Sequence, residues 1–93
     1  MKQKNHSIRE VMIEVSAIYK ADREGFHMDD QAEAIFEAYG GKWVEQGTIY
    51  GSGAMHLDRN LTYQLPAELV GAAKAALEQA GFRVTIFVDT LMN

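Results

Sequence analysis

At 93 residues the chain has room for one hydrophobic core and no second. It contains no cysteine, which excludes a disulfide framework, a thiolate zinc site and a cysteine nucleophile. Thirteen acidic against nine basic side chains give a net charge of −4, and the bases are scattered, so nucleic-acid binding by phosphate neutralisation is disfavoured.

Met1 to Ser7 is polar and holds Lys2 and Lys4; residues 1–6 are expected to form a flexible tail on a single domain spanning 1–93. No long apolar run follows, so neither a secretory signal nor a membrane span is expected. The absence of cysteine fits a cytoplasmic protein. Ile8 to Lys20 satisfies two periods at once. As a strand it sets Val11, Ile13, Val15, Ala17 and Tyr19 on one apolar face, with β-branched residues dominant. As a helix it opens on the capping box Ser7-Ile8-Arg9-Glu10 and gathers Ile8, Val11, Met12, Val15, Ile18 and Tyr19 on one arc.

An acidic stretch follows, with Asp22, Glu24, Asp29 and Asp30. Asp29 or Asp30 suits the N-cap of a helix whose inward stripe is Ala32, Ile35, Phe36 and Tyr39 and which Gly40-Gly41 ends. Lys42 to Tyr50 reads as a strand in which Gly47 marks a bulge, and Gly51-Ser52-Gly53 as a turn. Met55, Leu57, Leu61, Tyr63 and Leu65 then alternate with mostly polar residues. The alternation fails at Arg59, and Asp58-Arg59-Asn60 is turn-like, so a kink or a small extra hairpin fits there. Pro66 suits the first turn of a second helix with the stripe Leu69, Val70, Ala73, Ala76, Leu77 and Ala80, stopped by Gly81. Arg83 to Asp89 is the last strand, with Val84, Ile86 and Val88 on one face and Thr85, Phe87 and Asp89 on the other.

Two of these segments match. Ala34-Ile35-Phe36-Glu37-Ala38-Tyr39-Gly40 and Ala75-Ala76-Leu77-Glu78-Gln79-Ala80-Gly81 lie about 41 residues apart, each followed by a basic residue and an extended apolar run. A duplicated βαβ layout favours the strand reading of Ile8 to Lys20. The expected fold is α+β, a ferredoxin-like βαββαβ with a four-stranded antiparallel sheet and two helices on one face. The helix reading gives instead ααββαβ with a three-stranded sheet.

No catalytic set assembles from the residues present. His6, His27 and His56 lack the close spacing of metal ligands and read as solvated. The place of Asp22, just after the first strand, resembles that of an aspartate in the ferredoxin-like CRISPR-associated nucleases. The resemblance bears on Asp22 alone; a divalent-metal enzyme using Asp22, Asp29 and Asp30 is expected only in so far as carboxylates at the end of a sheet strand can bind a cation or act as acid and base. The resemblance is one of topology, because Tyr19-Lys20-Ala21-Asp22 lacks the rest of that family's pattern. Helix capping and a solvated loop account for the same acids. The RNA-recognition domains share the βαββαβ order, but 54–65 carries no aromatic-basic signature of that family. Gly51-Ser52-Gly53 and Gly40-Gly41 lack the context of a phosphate loop or a dinucleotide fingerprint.

The sheet face free of helices is what remains. It is expected to present Met12, Glu14, Ser16 and Ile18 from the first strand and Thr85, Phe87 and Asp89 from the last. An apolar patch ringed by acids suits a docking surface, formed by Met12, Glu14, Ile18, Phe87 and Asp89. The expected function is a non-catalytic protein–protein interaction module without a cofactor, such as a small bacterial or phage-encoded accessory protein or inhibitor that binds a host enzyme. Its partner is another protein or a second copy, with the apolar tail residues Leu91 and Met92 as a competing cover. A small-ligand-binding regulatory dimer and the metal enzyme above are the alternatives.

Overall fold

A computed structural model describes residues 11–21, 26–50 and 57–87. The elements run β1 (Met12–Ala21), α1 (Asp29–Ala38), β2 (Lys42–Tyr50), β3 (Leu57–Pro66), a 3₁₀ turn (Ala67–Leu69), α2 (Val70–Gln79) and β4 (Arg83–Phe87). The four strands form one antiparallel sheet in the order β2-β3-β1-β4. With two helices on one face, the class is α+β.

Pairing decides the ambiguous first segment. β1 is central, bonded to β3 along its whole length and to β4 from Glu14 to Ile18. A helix there would leave two strand edges without partners, and the ααββαβ alternative falls. The odd residues Val15, Ala17 and Tyr19 are buried, as the period of two requires. On the same face stand Leu61, Tyr63 and Leu65 of β3 and, less deeply, Val84 and Ile86 of β4. Phe36 from α1 and Leu77 from α2 fill the layer above them, and the Phe36 ring stacks on Tyr63 at 4.3 Å. Ala32 and Ala73, both fully buried, let the helices approach closely.

The matching segments end their helices in the same way. Gly40 and Gly81 take φ of +79° and +103°, the left-handed region that glycine enters without cost. Their N–H groups donate to the carbonyls of Glu37 and Glu78. The next residue in each copy donates five positions back, Gly41 to Phe36 at 2.8 Å and Phe82 to Leu77 at 3.0 Å. The copies differ at that residue. A Cβ on Gly41 would meet the Phe36 carbonyl oxygen at 2.9 Å, whereas Phe82 carries a ring that is buried edge-on to Tyr19.

Four local expectations need correction. The N-cap of α1 is Met28 with no side-chain cap, and Asp29 is the first helical residue, because its carboxylate is engaged elsewhere. Pro66 closes β3 in an extended conformation instead of opening the helix; Ala67 then donates to the Val11 carbonyl at 2.9 Å. The irregularity of β2 lies between Trp43 and Glu45, while Gly47 pairs in step with Asn60. Finally, β3 runs unbroken through Arg59, which keeps register with Tyr19 of β1. The tail 1–6, the turn at 51–53 and residues 88–93 lie outside the described residues, as do His6, His56, Asp22, Glu24 and Asp89. No helix among the described residues is long and apolar enough to cross a membrane.

Candidate functional site

Even-numbered residues of β1 point away from the helices, and strand register decides what joins them. Glu14 sits between Phe87 of β4 and Gln64 of β3; Ser16 between Thr85 and Thr62; Ile18 between Arg83 and Asn60. Beyond β3 the irregularity after Trp43 sets Glu45 opposite Thr62 and Gly47 opposite Asn60. These rows enclose a shallow concavity of about 390 Å³, walled by Phe87, Ile18, Glu14 and Glu45.

The floor of the concavity is polar and sunken. Ser16 and Thr62 are 5% and 4% exposed although no helix among the described residues covers them, because their neighbours are all taller. Their hydroxyls bond to one another at 2.6 Å, which offsets the cost of withdrawing both from water. Phe87 is 50% exposed, so the largest apolar group of this face stands in solvent. Arg83 leans the other way, its guanidinium 3.5 Å from Asp58.

A second polar grouping lies on the helix side. Arg59 sends Nη2 to Asp29 Oδ2 at 2.7 Å, and its Nε spans both carboxylate oxygens at 3.2 Å. The Tyr19 hydroxyl donates to Asp29 Oδ1 at 2.7 Å and accepts from the Met28 N–H, while Nη1 of Arg59 donates to Thr48. The Phe26 ring covers the guanidinium at 3.9 Å. Burial, and then the bond to Asp29, push the Tyr19 phenol up to about 12. The two charged side chains are only 8% and 22% exposed, and the fork geometry makes the pair strong. This grouping clamps the start of α1 to β1 and β3.

Of the residues expected to form the docking surface, Glu14, Ile18 and Phe87 converge on the concavity. Met12 shares their face at its end, opposite Pro66, and Asp89 lies outside the described residues. The three acids of the metal reading do not gather. Asp29 is held by Arg59 and Tyr19, Asp30 is exposed, and Asp22 is not among the described residues. His27 is exposed and packs edge-on against Tyr19. Among the described residues no group of three histidine or carboxylate side chains is placed to hold a metal ion.

The sequence reading takes Arg59 only as a break in alternation and Tyr19 and Ser16 only as face residues; it misses the polar partnerships they make with Asp29 and Thr62. A charged residue at an apolar position of an alternating strand, with paired acids opening a nearby helix, is a usable sign of a buried ion pair. The hydroxyl pair had no such sign, since it depends on the β1–β3 register. In comparisons with known proteins, the chain matches no family model, and no curated protein matches it.

Proposed function

We propose that the chain is a non-catalytic protein–protein interaction module that docks through the helix-free face of its sheet. We also read its architecture as the ferredoxin-like split βαβ. The element order βαββαβ and the spatial sequence β4-β1-β3-β2 support that finer assignment.

The observation that carries the reading is Phe87, half in solvent beside Ile18 and Glu14 on a face without helices. Full burial of Phe87 and Ile18 in a partner would stabilise the complex by about 1.5–3 kcal/mol each. The flanking carboxylates of Glu14 and Glu45 discourage non-specific association and restrict which surfaces fit. Chemistry on this face would need a nucleophile with a base, and the Ser16 hydroxyl is bonded to Thr62 instead.

The test places a photoreactive residue at position 87, and in a control at position 78 on the exposed side of α2, within cells of the natural source. A discrete protein adduct is expected from position 87 alone, and Ile18→Asp should suppress it with the melting temperature unchanged. Equal labelling from both positions, or none from 87, would overturn the reading.

A further inference from the structure

We infer that the occupant of the helix-free face is a second copy of this chain, related by a two-fold axis that lies between the two sheets and crosses β1 over Ala17. The inference rests on the docking role proposed above and names the partner.

Strand register makes this face self-complementary. An axis perpendicular to β1 at Ala17 exchanges position 14 with 20 and position 16 with 18. Glu14 of each copy then faces Lys20 of the other, which makes two identical ion pairs. Ile18 of each copy descends on the sunken Ser16 of the other, so the largest side chain at the centre of the face meets the smallest. On β3 the same exchange sets Gln64 against Asp58 and Thr62 against Asn60. On β4 it sets Thr85 against Arg83 and carries Phe87 past the end of the other copy's β4, to the rim of the interface; on β2 it sets Glu45 against Gly47. No two like charges meet among these pairs. That is the requirement of an isologous interface, where each contact occurs twice. The twist of stacked sheets, about 30° between strand directions, displaces Glu14 from Lys20 by a few ångströms that two long side chains can span.

The strands are ten, nine, ten and five residues long; at about 3.3 Å per residue and about 4.8 Å between strands they offer roughly 540 Å² per copy, so the pair comes to about 1,100 Å², the size of a weak, transient interface. The polar floor keeps such a dimer reversible rather than obligate.

An axis parallel to β1 is the other way to stack the same faces. It would set Lys20 against Asp58 and leave Glu14 beside the uncharged Gln64. Charge reversal separates the two.

The experiment is sedimentation equilibrium of the full chain from about 1 µM to about 500 µM, with E14K, K20E and the double variant E14K/K20E. The wild type is expected to pass from a 10.4 kDa monomer to twice that mass. Each single reversal should raise the dissociation constant about tenfold, since both symmetric pairs turn repulsive at once, and the double variant should restore it to within a few-fold. Circular dichroism melts confirm that all three variants fold. A monomer at every concentration overturns the inference. So does a dimer indifferent to both reversals, or one that K20E alone weakens without rescue. A monomer that still gives a foreign adduct from position 87 defeats only the second copy and leaves the docking role standing; loss of every adduct defeats both.

Discussion

The two faces of the sheet each bury one polar pair, and they do it by opposite means. Under the helices, Arg59 and Asp29 bring full charges out of water, and Tyr19, Thr48 and Phe26 occupy the remaining directions around them. On the open side Ser16 and Thr62 are neutral and satisfied by each other. A buried charge is tolerated only where it is fully coordinated, so Arg59 fixes the elements around it. A hydroxyl pair coordinates nothing beyond itself and leaves depth above it. The covered face therefore carries the stability of the fold, and the open face keeps a concavity in solvent.

The largest expected contrast between the faces is in packing. Phe36→Ala should cost about 3–5 kcal/mol, whereas Phe87→Ala should stay within about 0.5 kcal/mol, both measured by urea unfolding. Comparable losses from the two would mean that Phe87 is covered and that the open face is not open. The clamp comes next. Asp29→Ala leaves Arg59 buried without its carboxylate and should cost about 2–4 kcal/mol, below the fully buried limit because Asp29 keeps some exposure. Adding Arg59→Met should recover most of that loss; a double variant no better than the single would show that the pair itself, not the stranded charge, holds α1 in place.

The Tyr19 phenol sharpens the comparison by pH. Its folded value of about 12 lies above the ordinary 10, so the unfolded chain releases its proton first. The stabilisation is fully present below pH 10 and is lost as pH rises through about 12. The stability gap between wild type and Tyr19→Phe should therefore narrow across that window. A constant gap would place the phenol in solvent. The smallest effect is expected at the exposed Lys74–Glu78 pair of α2, where Lys74→Ala should cost no more than about 0.5 kcal/mol in a thermal melt at low salt.

Elements whose signals are local are legible in the sequence. Gly40 and Gly81 mark both helix ends because a left-handed residue is needed there and glycine supplies it. The bounds of β2 and the face assignment of β4 followed from turn chemistry and the period of two. That Glu14, Ile18 and Phe87 share one face is legible for the same reason, since parity along each strand already separates the two faces. Arg59 was misread because alternation was judged by hydrophobicity alone, and an arginine in the core looks like a break until its acid is known. The bulge was placed at Gly47 because glycine is the usual mark, but the irregularity followed Trp43 at the edge of the sheet.

By itself, then, the order of residues determined where helices stop, which way each strand faces and which apolar groups leave water. Those properties depend on neighbours within a few positions, where backbone sterics and side-chain period act. Only the tertiary structure decided that residues 12–21 are a strand, that Arg59 meets Asp29, and that Ser16 and Thr62 share a hydrogen bond. Each of these requires partners distant in the chain, and the free energy that selects them appears only once the sheet has brought them together.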